Sequence, residues 1–147
     1  MEGFNPRSKN AWRHAGTFNN NIMTMTAGLA GLTQLFTPEA CIELNKKGDV
    51  FRARLNKTIQ ERDLPIQVTG LGSMNNVHFT DIPMERPHTD PVSSRKGDLM
   101  HLDMLKLGVY HARRGMMNLS LPMTDADIDF AVSAFEEFLD SRRAILK

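Results

Sequence analysis

The residue patterns of this chain predict an α+β fold, a short and mostly antiparallel sheet with helices packed on one face. Three observations predict it. Apolar residues recur at helical spacing through residues 37–62 and again after Thr124; short β-like pieces follow Leu64-Pro65 and Gly108; and glycines and prolines mark the joints between the two kinds of segment.

Taken in order, residues 2–14 are a polar lead with Pro6, Arg7 and no periodicity. A helix is expected over residues 20–36, with Gly28 and Gly31 on nearly one face, where another backbone can come close. Thr37 is placed as N-cap and Pro38 as first residue of a long amphipathic helix ending near Arg62, its stripe formed by Ala40, Leu44, Phe51, Leu55 and Ile59. Gly48 interrupts this helix, but the stripe continues in phase beyond it. Ile66, Val68 and Leu71 define a first strand, Gly70 and Gly72 a bend or bulge, and residues 77–80 a second strand. Three prolines make residues 81–94 a loop, and a helix over residues 94–107 closes on Gly108 at its C′ position. Strands over residues 109–112 and 117–121 follow. Thr124 with Asp127 resembles a capping box, opening a terminal helix whose Ile128, Ala131, Val132, Phe135, Phe138 and Leu139 share one face. The two leading helices need something else to cover them.

Across 147 residues the formal net charge is +1, with 41% apolar and 24% charged residues. These are globular values, and so weak a field gives no support for a nucleic-acid or anionic-membrane partner. The N-terminus lacks a signal-peptide core and no run reaches the roughly 20 apolar residues of a membrane span, so the chain reads as soluble and cytoplasmic. The single cysteine, Cys41, makes no internal disulfide, which fits a reducing compartment, and a small apolar packing role accounts for it more simply than a nucleophile.

Chemistry-bearing residues concentrate in His14-Ala15-Gly16-Thr17-Phe18-Asn19-Asn20-Asn21, which runs into the first helix. Backbone N–H, hydroxyl and amide donors meet there, a combination that suits a phosphate. The asparagines also have a simpler use, accepting from the first N–H groups of the helix as caps. His78, Asp81, His88, Asp90, His101 and Asp103 bear metal-ligating atoms, but no pair has ligand spacing on a helix, so no metal site is assigned. Ser73 lacks the Gly-x-Ser-x-Gly elbow of a hydrolase, and Gly70-x-Gly72 is too short for a dinucleotide site. The ten methionines read as core and interface filler. Arg113 and Arg114 suit either bidentate recognition of a carboxylate or phosphate, or an ion-paired surface.

Ala15-Gly16-Thr17-Phe18-Asn19-Asn20-Asn21, Met25-Thr26-Ala27-Gly28-Leu29-Ala30 and Leu44-Asn45-Lys46-Lys47-Gly48-Asp49 resemble the later part of class III pyridoxal-phosphate-dependent aminotransferases. Val68-Thr69-Gly70-Leu71-Gly72-Ser73-Met74, Leu107-Gly108-Val109-Tyr110 and Thr124-Asp125-Ala126-Asp127-Ile128-Asp129 continue the resemblance in colinear order. Within the class the chain is most similar to glutamate-1-semialdehyde 2,1-aminomutase and its relatives. The resemblance implies a fold-type I enzyme, with residues 1–36 a remnant of the large cofactor-binding domain and residues 37–147 the small C-terminal domain. It also implies that Gly16 and Thr17 contact the phosphate of pyridoxal 5'-phosphate held mainly by the other subunit of a homodimer. Thr17 would supply its hydroxyl and N–H, and Gly16 would let the backbone come close. Phe18 and Asn19 would neighbour that site, and Asn20-Asn21-Ile22 departs from the Gly-Asn-Pro usual there. The substrate would be a small amino acid or amino-aldehyde.

The same resemblance sets a limit. The Schiff-base lysine, the stacking aromatic residue and the aspartate for the pyridine nitrogen belong to the large domain upstream, and only Lys9 precedes Thr17 here. No catalytic residue is therefore assigned, and the chain alone is expected to be inactive. Two functions follow: a portion of a transaminase or aminomutase that needs a lysine-bearing large domain, or a non-catalytic interaction module that associates with a full-length relative. Either leaves an apolar face exposed on the helices of residues 20–59.

Overall fold

A computed structural model describes all residues except 1, 6, 13–15, 17, 19, 20 and 85–90. They form two compact units, Met1–Pro38 and Glu39–Lys147.

In the first unit a 3-10 turn at Glu2–Phe4 sets Phe4 edge-on to Trp12, with ring centroids 5.5 Å apart. Helix α1 spans Ile22–Ala30 and runs into a wide π-helical turn, Gly31–Leu35. The helix expected over residues 20–36 is thus shorter and changes pitch. The Thr33 hydroxyl donates to the Leu29 carbonyl at 2.7 Å, competing for the acceptor that α-helical pairing uses, and the Phe36 N–H reaches back to Gly31 O at 2.8 Å. No residue of α1 is buried: Ile22 and Met23 are each 78% exposed and Leu29 66%. Gly28 and Gly31 meet no atom within 4 Å of an added Cβ, so the close backbone approach expected at them is not made among the described residues.

The second unit is built on α2 (Pro38–Glu61), which runs unbroken through Gly48 with Pro38 at its first position. Strands β1 (Gln67–Leu71) and β2 (Met74–His78) pair antiparallel, and β3 (Met116–Asn118) joins the far side of β2, giving the order β1-β2-β3. Helices α3 (Pro91–Lys106), α4 (Asp125–Ser141) and the short α5 (Arg143–Leu146) complete it. One sheet face carries Val68, Val77 and Met117, all buried against Phe51 and Leu55 of α2, Met100 and Met104 of α3, and Phe135 and Phe138 of α4. Each such side chain contributes about 1.5–3 kcal/mol by leaving water. The other face, with Gln67, Thr69, Asn76 and His78, stays partly exposed.

Several boundaries differ from the sequence reading for local reasons. Gly72-Ser73 is the two-residue turn of a hairpin rather than a bulge, with Gly72 at φ +54° and Leu71 facing Met74. β2 accordingly starts at Met74, where polar Asn75 and Asn76 hide the strand pattern. Helix α3 starts at Pro91 because proline suits a first helical position. It ends as foreseen at Gly108, φ +86°: Gly108 N–H donates to Leu105 O at 3.1 Å and Val109 N–H to Met104 O at 2.8 Å, a Schellman motif. Residues 109–112 form no strand, because the Ala112 N–H turns to Met116 O at 3.1 Å while Gly115 O accepts from Val77 N–H at 3.0 Å, which leaves only Met116–Asn118 in the ladder. The capping box forms in full, with Thr124 N–H donating to Asp127 Oδ2 at 2.7 Å and Asp127 N–H to Thr124 Oγ1 at 3.3 Å.

Helix α2 docks on the hairpin at three asparagines and one glycine. Asn56 accepts from Val68 N–H and donates to Val68 O, both at 2.9 Å, satisfying the outward backbone groups of edge strand β1. Asn45 Oδ1 accepts from Ser73 N–H at 3.1 Å, and Arg52 donates to Asn75 Oδ1 at 3.1 Å. Between them Gly48 lies so close to the turn that an added Cβ would sit 2.2 Å from Gly72 O. Gly48→Ala should therefore destabilise the protein by about 1–3 kcal/mol through overpacking, against the usual gain for Gly→Ala in a helix. Gly28→Ala, in open space, should instead stabilise by about 0.5–1 kcal/mol. Denaturant midpoints of the two variants check the pair.

Candidate functional site

The family resemblance leads one to expect a cofactor-phosphate contact at Gly16 and Thr17. Gly16 is exposed, and Thr17 lies outside the described residues, as do Ala15, Asn19 and Asn20. Phe18 is 77% exposed, and its carbonyl accepts from the Asn21 N–H at 3.1 Å, turning the chain into α1. The capping alternative is realised at Asn21, whose Oδ1 accepts from Thr24 N–H at 3.1 Å. That cap uses one N–H of the first turn and leaves those of Ile22 and Met23 directed out of the helix start, the positive end of its dipole. No acidic residue stands in that turn. Among the described residues this helix start presents N–H groups and no carboxylate, which fits a phosphate dianion.

The remaining candidates are engaged within the second unit. Arg113 Nε and Nη2 both donate to Asp98, Nη2 at 2.7 Å, and this hydrogen bonding holds the Asp98 carboxyl below the usual carboxylate range. Arg114 is exposed and touches Met116 Sδ at 3.3 Å. The two arginines border a groove of about 590 Å³ with His78, Phe79 and Gly97. His78 Nε2 lies 2.8 Å from Thr69 Oγ1 across the β1–β2 pair, and burial pushes its pKa down. Asp103, nearly buried, is gripped by Arg142 at 2.6 and 3.1 Å, and that hydrogen bonding lowers its pKa. Asp81 is exposed, while His88 and Asp90 lie outside the described residues. Among the described residues no three ligating side chains converge as a metal site would need. Ser73 sits in the hairpin turn, and half-buried Cys41 accepts from Asn45 Nδ2 at 3.6 Å. No helix among the described residues is long and apolar enough to cross a membrane.

Sequence reasoning missed Asn45, Asn56 and the Asp103–Arg142 pair. Asparagines within a helix carry no periodic signal, and an ion pair spanning 39 positions has no local one.

No family model matches the chain. It is 44% identical over 148 residues to a β-phenylalanine transaminase of Variovorax paradoxus, covering 99% of this chain and 34% of that protein. To a glutamate-1-semialdehyde 2,1-aminomutase of Bacillus cereus it is 30% identical over 135 residues, 88% of this chain and 31% of the relative. The crystal structure of the β-phenylalanine aminotransferase from Variovorax paradoxus superposes with a TM-score of 0.84 at 41% identity, over 99% of this chain and 34% of that one. The chain thus spans about a third of the length of the curated relatives it matches. Over that stretch it is similar to class III pyridoxal-phosphate-dependent aminotransferases, and its structural neighbours are of fold-type I.

The Asp103–Arg142 pair yields a pH prediction. A carboxyl whose folded pKa is depressed adds stability that is present above its unfolded pKa, about 3.9, and is lost as pH falls through the folded value. Asp103→Asn should cost about 1–3 kcal/mol at pH 7, the range of a charge-assisted hydrogen bond. The deficit should shrink as pH drops below about 4, followed by urea unfolding across pH 2–7.

Proposed function

We propose that this chain supplies the cofactor-phosphate loop and the small domain of an enzyme that transfers amino groups with pyridoxal 5'-phosphate. One observation carries the proposal: similarity at 44% identity runs along 99% of the chain, and it includes the Gly16-Thr17 pair at the head of α1. When bound, the cofactor acts as an electron sink for carbon–nitrogen chemistry at the substrate. This chain's part is to bind and orient. Thr17 donates its hydroxyl and N–H to the phosphate, Gly16 leaves room for the oxygen atoms, and the α1 N-terminus adds its positive dipole end. The lysine that anchors the cofactor lies in the large domain, so residues 1–36 are the tail of that domain and residues 37–147 the small domain.

Identity of 44% to the transaminase against 30% to the aminomutase supports transamination of an amino acid over the intramolecular exchange of an amino-aldehyde. Ile22, Met23, Met25, Leu29 and Leu32, each at least 60% exposed on or beside α1, support a homodimer or large-domain contact at this helix. A cytoplasmic location accords with the lone cysteine.

In the complete enzyme, Thr17→Ala should weaken pyridoxal-phosphate binding by about tenfold to a hundredfold, the loss of a charge-assisted hydrogen bond. Thr17→Ser should retain affinity, and pyridoxal lacking its phosphate should bind wild type and Thr17→Ala alike. Equilibrium dialysis gives these values without reference to turnover. Equal affinity of wild type and Thr17→Ala for the phosphorylated cofactor would refute the assignment.

A further inference from the structure

Residues 108–115 cross α3 as a strap. Its ends are the Schellman bonds at Gly108 and Val109 and the bond from Val77 N–H to Gly115 O, and the Arg113–Asp98 ion pair clasps it near the second end. Between them His111 is buried, 5% exposed, with Nδ1 2.9 Å from the Ala112 carbonyl. A carbonyl only accepts, so Nδ1 carries the proton of the neutral ring and Nε2 the lone pair. Nε2 is buried without a partner. The ring stands edge to face with His101 of α3, centroids 5.3 Å apart at 87°, and His101 Nδ1 is also buried without a partner.

We propose that His111, packed on His101, is an acid-sensitive latch: neutral, it closes the strap on α3, and on taking a proton at Nε2 it releases residues 109–115. Among the described residues no carboxylate free of another partner is placed to compensate that charge. From α3 the neighbouring carboxylates are Asp98, claimed by Arg113, and Asp103, claimed by Arg142. The strap itself brings the cations of Arg113 and Arg114 and the Tyr110 ring, 6.1 Å from His101, while α4 approaches through the uncharged Phe130 at Gly108. Burial pushes the His111 pKa down and His101 adds to this; the Ala112 and Met100 carbonyls oppose it, although Met100 makes no bond of proper geometry to Nε2. Because the closed-state pKa is the lower one, closure is full above the open-state value, about 6.5, and is lost as pH falls from there through the closed-state value. The device is independent of the cofactor reading.

Amide hydrogen exchange of residues 109–115 in the complete protein, corrected for intrinsic rates, tests the latch between pH 7.5 and 5. The opening equilibrium should rise by about tenfold per pH unit below the open-state pKa, the slope of a one-proton step. His111→Phe should abolish this slope, and His101→Asn should move the midpoint to higher pH. Ring titration of His111 by NMR without any change in strap exchange would overturn the proposal, as would an unchanged slope in His111→Phe. Should His111→Phe not fold, the wild-type ring titration set against exchange decides alone.

Discussion

The second unit depends on the close approach of α2 to the β1–β2 turn. At Gly48 a helix surface meets the backbone of Gly72, a separation that no side chain permits, and Asn45 fixes the turn from the same helix by accepting from Ser73 N–H. One turn of helix further on Arg52 reaches Asn75, and beyond it Asn56 completes the hydrogen bonding of the β1 edge at Val68. The register of α2 on the sheet is thereby set by polar groups, and the apolar stripe of Phe51, Leu55 and Ile59 falls into the core at that register. Polar docking at the rim and apolar burial beneath it are consistent, as a single native packing requires. Glycine at position 48 is a poor helix former, and the contact it allows explains its presence within a helix of 24 residues.

The two units differ in how much they bury. Among the described residues, every member of the apolar core lies in residues 39–147. In the first unit α1 buries nothing and presents Met, Leu and Ile side chains on its surface, which isolated soluble domains avoid. The relatives are about three times the length of this chain, and under the proposed function the apolar surface of α1 would be covered by the rest of such a protein. The same helix begins just after Gly16. The proposed cofactor loop and the proposed interface helix are therefore neighbours in sequence.

Much of this was legible in the residues. The α2 stripe, the Thr124–Asp127 capping box and the Gly108 terminator are local signals, and each element appears where its signal stands. What escaped depends on distant partners. β2 begins at polar Met74-Asn75-Asn76 because Asn75 is held by Arg52, and residues 109–112 fail as a strand because Gly115 takes the place beside Val77. Gly16 and Thr17 are proposed through family resemblance; spacing alone favours the helix-cap reading of the asparagines beside them, a role that Asn21 fills.

The central claim, that the chain works as one third of a larger transaminase, is tested most directly by the intact mass of the native polypeptide captured through its terminal helix. The account predicts a mass roughly three times the 16.6 kDa of this chain, in proportion to its 34% share of the relatives. A native species of 16.6 kDa with no larger form carrying the same helix would contradict it.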